Sequence, residues 1–155
     1  MLLISKKQSG FTIVELLIVI IVIAILAAIV VAAFNGVTQK AQAQKASADL
    51  ATLAKAIHAA RINQDKVLKD ITGNSCTFCG TQATYELTLD RIGAAAGVNL
   101  TALKAGNPWG NKYFIDENEL ENMSVNNGCN KDTIGAGTGA PSGAVTTPII
   151  PTYSC

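Results

Sequence analysis

The chain of 155 residues carries a formal net charge of +1, four cysteines and only 5% aromatic residues. This length allows one small folded domain, and the low aromatic content predicts a modest core. Two of the 12 basic side chains, Lys6 and Lys7, stand in a leader, so the rest of the chain sets 10 basic against 11 acidic side chains. A nearly neutral chain has no field that would concentrate nucleic acid, and we expect none as a direct ligand.

Behind the basic leader lies an uninterrupted apolar run. Residues 16–34 are nineteen residues without charge, proline or glycine. At about 1.5 Å per helical residue they span roughly 28 Å, close to the hydrocarbon thickness of a bilayer. Lys6 and Lys7 favour a cytoplasmic N-terminus, because short flanks rich in lysine stay inside. The run therefore predicts one membrane-spanning helix, with the rest of the chain delivered outside.

Glu15 is an acid at the edge of this run, where an unpaired carboxylate is costly and is by default a functional candidate. Cleavage after Gly10 would create a cationic amine on Phe11, one helical turn from Glu15. A staggered neighbouring chain could instead bring its own amine. A plain membrane anchor has no need of Gly10 or Glu15, and a secretory signal peptide cut near residues 31–33 normally has an apolar core of only about 7–15 residues.

The residues around Glu15 resemble a known family. The sequence KKQSGFTIVELLIVI at residues 6–20 resembles the class III signal of type IV prepilins and pseudopilins. The resemblance implies that a prepilin peptidase cleaves between Gly10 and Phe11 and methylates Phe11. It also implies that the retained helix anchors the subunit and later packs in a filament core, where Glu15 neutralises the Phe11 amine of an adjacent subunit.

The periodicity and the resemblance together predict an α+β fold. We expect a long N-terminal helix, membrane-spanning in its first half and amphipathic in its second, packed against a small antiparallel β-sheet head in a pilin-like lollipop. The expected units are a cleaved leader (1–10), the long helix (11–64, with 11–34 as the membrane and filament-core segment) and the head (65–155). Many family members have glycine and proline in the apolar half, but this chain has Ala24 and Ala32 there, so local melting of the helix is not assumed.

The second half of the helix has one apolar face. Its apolar residues recur at three- and four-residue spacing, which predicts a stripe that packs on the head. His58 has no second histidine or carboxylate at helical spacing, so we interpret it as solvated or packed on the head. The stripe consists of Leu50, Leu53, Ala54, Ile57 and Ala60. The charged residues expected mostly off the stripe are Lys40, Lys45, Asp49, Lys55 and Arg61.

The head is expected to begin with an extended loop at 65–83, followed by a short helix at 85–97 that ends at glycine. Pro108 and Gly110 then predict a tight turn entering a strand, with Trp109 packing back on the core. This segment resembles the Asp-Pro-Trp-Gly-x-x-Tyr segment of major pseudopilins and related pilins, with Asn107 in place of the aspartate.

The C-terminal part of the head is expected to contain a hairpin over 113–128 and an irregular loop over 135–148. An edge strand is expected over 149–153, because its proline excludes a central strand. The acidic residues of this region are interpreted as a solvated hairpin rather than a calcium site, because no Asp-x-Asp-x-Asp-Gly loop is present. They are Asp116, Glu117, Glu119, Glu121 and Asp132.

All four cysteines lie beyond the membrane segment, in an oxidising compartment, so disulfides are expected in one of three connectivities. A Cys129–Cys155 bond would tether the tail, which resembles the disulfide-bounded C-terminal region (129–155) of many pilins, and would contribute about 3.5 kcal/mol. Cys76–Cys79 would then pair locally. The alternatives are a redox-active Cys76–Cys79 pair, which lacks a βαβ context, and a four-cysteine zinc site, which lacks ligand spacing in its second pair.

No catalytic motif is present, whether nucleophile elbow, phosphate loop or paired histidine and carboxylate, so we predict neither enzyme activity nor a cofactor or metal. We interpret the chain as a pilin, held in the cytoplasmic membrane and then polymerised into an extracellular filament for adhesion, motility or DNA uptake. The implied partners are further copies of the chain, the prepilin peptidase, and the assembly platform with its ATPase. One alternative is a pseudopilin of a type II secretion-like system. Another is a secreted or membrane-anchored binding protein that never polymerises.

Overall fold

The computed structural model describes residues 10–119 and 129–153, and for residues 32, 33 and 35 the backbone alone. Helices precede a small sheet along the chain, so the expected α+β class is confirmed. The chain divides into two compact units, residues 1–39 and 40–155. The elements are α1 (Ile13–Gln64), α2 (Leu68–Thr72), α3 (Gln82–Ala96), a 3₁₀ helix (Thr101–Ala105), β1 (Phe114–Asp116) and β2 (Thr133–Gly135).

Helix α1 is a single α-helix of 52 residues, as the composition predicts. Its backbone is helical through Ala24 and Ala32, because alanine has the best helix propensity of any residue, whereas proline would remove a hydrogen bond. The predicted apolar stripe is confirmed in the second unit, where Leu50, Ile57 and Ala60 are fully buried. The charged residues Lys40, Lys45 and Lys55 are exposed, whereas Asp49 and His58 are half-buried.

The core of the second unit lies between this face of α1 and the helices and strands that follow. Leu89 and Ile92 come from α3, and Ile115 and Ile134 come from the two strands. Helix α3 begins three residues before its predicted start, because Thr81 caps it by accepting the amide N–H of Thr84. It ends as predicted at a glycine, which takes the left-handed conformation with φ of 71°.

The expected extended loop at 65–83 is wrong at Leu68–Thr72, which form the single helical turn of α2. Leu68 is fully buried and Ile71 nearly so, and both belong to the core. Two apolar residues in so short a segment do not show a helical period in the sequence. Burial of these two side chains nevertheless stabilises a turn that would be marginal alone. Gly73 ends the turn in the left-handed conformation.

The sheet has two antiparallel strands, with Ile115 of β1 opposite Ile134 of β2. The predicted hairpin over 113–128 had its second strand at 121–128, and residues 120–128 lie outside the described part of the chain. The partner that the structure assigns to β1 is instead Thr133–Gly135, which includes the first residue of the expected irregular loop. The expected edge strand at 149–153 is also wrong, because this segment is irregular and its Ile150 is buried in the core.

The turn at Asn107 is built as predicted. The amide N–H of Gly110 donates to the Asn107 carbonyl at 3.0 Å, and Gly110 has φ of 82°, which glycine adopts without strain. Trp109 is partly buried against the core, as expected. Asn107 accepts two backbone N–H groups on Oδ1, and its Nδ2 donates to the carbonyls of Ala136 and Thr138 at 2.6 and 3.1 Å.

Candidate processing and assembly site

The peptide between Gly10 and Phe11 is accessible. Both residues are exposed, Phe11 by 85%. A Cβ added to Gly10 would meet no atom of the described residues within 4 Å, and Gly10 does not have a positive φ. The described structure therefore does not require glycine at this position. A requirement for glycine would have to come from an enzyme that binds this peptide.

Thr12 and Glu15 form a capping box at the start of α1. The backbone N–H and the hydroxyl of Thr12 each donate to Oε2 of Glu15 at 2.8 Å. The Thr12 hydroxyl oxygen in turn accepts the backbone N–H of Glu15 at 3.2 Å. This reciprocal pattern satisfies two N–H groups that the first turn of a helix otherwise leaves without partners. The carboxylate also lies at the positive end of the helix dipole.

The helix behind this cap presents only apolar side chains to its surroundings. Every residue from 16 to 31 is exposed, including Leu17, Ile21 and Ile25 at about half of their surface or more. Within the described residues, α1 is the one helix that is long and apolar enough to cross a membrane. A soluble protein does not leave so much contiguous apolar surface open, so this segment needs a bilayer or other helices around it.

Comparison with protein families places these features in one motif. Residues 5–31 match the family model described as the prokaryotic N-terminal methylation motif, and that range holds Gly10, Phe11, Glu15 and most of the apolar run. This match supports a protein of the type IV pilin or pseudopilin class, and it covers the N-terminal segment alone. No curated protein and no solved structure gave a significant match.

The motif makes this pilin-like protein a substrate of the prepilin peptidase class, with a membrane-anchored stage before assembly. Proteins with this motif are structural rather than catalytic. The sequence interpretation had identified Gly10, Phe11 and Glu15, and it missed Thr12. The signal was available, because threonine followed three residues later by glutamate, just ahead of an apolar run, is the sequence signature of a capping box.

The head of the pilin-like protein contains a buried ion cluster that the sequence interpretation also missed. Arg61, Glu119 and Asp132 are each 1% exposed or less, so the expectation that Arg61 lies off the apolar stripe is wrong. Arg61 pairs with Asp132, and its Nη2 lies 3.5 Å from Oε2 of Glu119. Its Nη1 donates to the Pro151 carbonyl at 2.7 Å, and Glu119 accepts the backbone N–H of Tyr153. The cluster thus ties the C-terminal segment to α1.

The interpretation of the acidic residues as a solvated hairpin is therefore wrong for Glu117, Glu119 and Asp132. Burial raises the pKa of Asp132, although the Glu119 backbone N–H and the charge of Arg61 act in the opposite direction. Glu121 lies outside the described residues, and Asp116 is half-buried. Among the residues that the structure describes, no group of three His, Cys, Asp or Glu side chains is arranged to hold a metal ion.

Glu117 occupies a separate buried position, held by the turn between Cys76 and Cys79. These two cysteines form a disulfide. Within their turn, Thr77 donates its backbone N–H to Glu117 Oε2 at 2.8 Å and its hydroxyl to Oε1 at 2.5 Å. Burial raises the pKa of the Glu117 carboxyl, and the hydrogen bonds from Thr77 offset only part of that effect. Because Cys155 lies outside the described residues, the Cys129–Cys155 pairing stays a prediction.

Proposed function

We propose that this pilin-like protein is a pilin, a structural subunit that polymerises into a type IV pilus. The prepilin peptidase cleaves between Gly10 and Phe11 and methylates Phe11. The subunit then waits in the cytoplasmic membrane with its N-terminus on the inner side. An assembly platform and its ATPase extract it into a homo-oligomeric helical filament on the cell surface.

One observation carries the proposal: the Glu15 carboxylate stands at the start of a helical segment (16–31) whose side chains are all apolar and exposed, within the methylation motif. Exposed apolar side chains from residue 16 to residue 31 favour first a bilayer and then neighbouring helices as their surroundings. In either environment an ionised Glu15 needs a cation. Cleavage creates that cation as the Phe11 amine, and a staggered neighbour can present its own amine to Glu15. A plain membrane anchor has no use for this pairing.

A pseudopilin of a type II secretion-like system is the second candidate. The turn formed by Asn107, Pro108, Trp109 and Gly110 favours it, because this segment resembles that of major pseudopilins. The two candidates share processing and pairing at the N-terminus, and they differ in the length of the fibre. Electron microscopy of cells that express the chain at its natural level separates them: long surface filaments support a pilin, and their absence despite normal processing supports a pseudopilin.

The test of the shared mechanism begins with mass spectrometry of the native polypeptide, which we expect to begin with methylated Phe11. Glu15→Val should be cleaved and methylated like the wild type but should fail to assemble, because no carboxylate remains to neutralise the amine. The matched control is Ile18→Val, a conservative change in the same apolar segment that should assemble normally. A native N-terminus at Met1, or a normal filament yield from Glu15→Val, would contradict the proposal.

A further inference from the structure

The turn closed by Cys76 and Cys79 lies in the head, outside the methylation motif. We propose that this disulfide is a thiol–disulfide exchange site, whose substrate is a dithiol and whose redox state controls how firmly the outer edge of β1 is held. The chemistry of this site is independent of cleavage, methylation and polymerisation, so it goes beyond the function proposed above.

The two sulfur atoms of this disulfide differ in access and in bonding. Cys79 is exposed, whereas Cys76 is half-buried and its Sγ accepts the backbone N–H of Cys79 at 3.2 Å. In thiol–disulfide exchange the attacked sulfur must be accessible, and the other sulfur leaves faster when its negative charge is stabilised. Cys79 is therefore the sulfur open to attack, and Cys76 is the leaving group that a backbone N–H supports. These requirements do not depend on a βαβ context.

The ammonium group of Lys112 is bound to the backbone on both sides of the exposed sulfur. Its Nζ donates to the carbonyls of Phe78 and Gly80 at 3.2 and 2.5 Å, and these residues immediately precede and follow Cys79. The attacking species in the exchange is an anionic thiolate. A cation held at this place attracts the thiolate, and dissolved salt screens that attraction. Lys112 is thus a positioning residue for the approach of the dithiol.

The exchange with a dithiol proceeds in two steps. First, one thiolate of the dithiol attacks Sγ of Cys79, the bond between the two cysteine sulfurs breaks, and Cys76 leaves as a thiolate that takes a proton from water. Second, the other thiol of the dithiol loses its proton and attacks the dithiol sulfur in the mixed disulfide, which displaces Cys79 as a thiolate. The protein gains two electrons and two protons, and the dithiol is oxidised to a disulfide.

The two residues between the cysteines couple this chemistry to β1. Thr77 donates its backbone N–H and its hydroxyl to Glu117, which directly follows the strand. Phe78 donates its backbone N–H to the Ile115 carbonyl at 3.0 Å, and its ring centroid lies 4.9 Å from that of Phe114. The disulfide restricts the four-residue turn that makes these contacts. In the chain-entropy model, opening a loop of this size favours the released turn by about 20-fold.

The first experiment measures the exchange in the processed full chain in detergent micelles. Dithiothreitol is the dithiol probe, and alkylation followed by peptide mass mapping identifies each reduced cysteine. We expect Cys76 and Cys79 to be reduced together while the fluorescence of Trp109 still reports a folded head, and to re-form their disulfide when oxidised glutathione is added. Reduction of the two cysteines only after the head has unfolded would overturn the proposal.

A lysine variant tests the approach of the dithiol. Lys112→Gln should slow the reduction of the pair by about two- to fivefold at low salt, and high salt should remove the difference from the wild type, because a screened attraction is what the variant loses. The matched control is Lys66→Gln, which removes another exposed lysine of the head and should react like the wild type. A wild-type rate in Lys112→Gln at low salt would overturn the part assigned to the amine.

The second experiment measures the coupling to β1 by hydrogen exchange of the ¹⁵N-labelled chain. The amide hydrogens of Thr77 and Phe78 should exchange about 20-fold faster after reduction. The double variant Cys76→Ser with Cys79→Ser should show the same acceleration without any reductant, so reduction of other cysteines is not its cause. The amide of Leu89, a fully buried residue of α3, serves as the internal control and should not change. Equal protection of Phe78 in the oxidised chain, the reduced chain and the double variant would overturn the coupling.

Discussion

The buried cluster of Arg61, Glu119 and Asp132 leads to a quantitative prediction about the head. Replacing Arg61 by methionine keeps a long apolar stem and removes the cation that pairs with these two carboxylates. It also removes the donor to the Pro151 carbonyl. Breaking a buried ion pair by deleting one partner costs about 3–5 kcal/mol, because a charge is left buried without compensation.

The assay is urea unfolding of the processed chain in micelles, followed by the fluorescence of Trp109. This is the single tryptophan of the chain, and it packs against the core, so its emission reports on the head. We expect Arg61→Met to lower the free energy of unfolding by about 3–5 kcal/mol and the melting temperature by roughly 10–20 °C. Lys55→Met is the control: it removes an exposed lysine from the same helix and should change the free energy by less than about 0.5 kcal/mol.

A second variant tests the cause of the destabilisation. Combining Arg61→Met with Glu119→Gln and Asp132→Asn removes all three charges and keeps carbonyl acceptors for the backbone N–H groups of Tyr153 and Glu119. It should recover about 2 kcal/mol relative to Arg61→Met alone, because neutral groups of similar shape replace the unpaired charges. If the free energy of unfolding of Arg61→Met lies within about 1 kcal/mol of the wild-type value, the cluster does not hold the C-terminal segment in place. The reasoning from burial is then refuted.

Two further variants test single contacts in the head by the same unfolding assay. The pKa of Glu117 is raised in the folded state above its ordinary value of 4.5, so its contribution to stability is fully present below about pH 4.5 and is lost as pH rises through the raised pKa. As the pH rises from 4.5 to neutral, the free energy of unfolding of Glu117→Gln should therefore increase relative to that of the wild type. A difference between the two free energies that stays constant across this range would contradict the burial effect. Asn107→Asp deprives the carbonyls of Ala136 and Thr138 of their donor, so we expect it to lower the free energy of unfolding by about 1–3 kcal/mol. An unchanged stability would show that these two bonds contribute nothing.

The elements that could be predicted from sequence are those whose signals are local. The long helix α1 follows from an apolar run without proline and from a stripe at helical spacing, and both lie within the helix itself. The proposed cleavage site at Gly10 and Phe11 and the candidate role of Glu15 rest on a short continuous motif. The turn at Pro108, Trp109 and Gly110 follows from residues that restrict their own backbone. The hydrogen bonds between Thr12 and Glu15, which the sequence interpretation missed, also join residues only three positions apart.

Only the tertiary structure decided which strands pair and which charges are buried. The partner of β1 is β2, and three-residue strands carry too little alternation to specify a register from sequence. Arg61 meets Asp132 across 71 residues of chain, and each would be predicted as exposed when considered by itself. An ionisable side chain is buried at low cost only when the fold brings an opposite charge or hydrogen-bond donors to it, and that condition depends on distant parts of the chain.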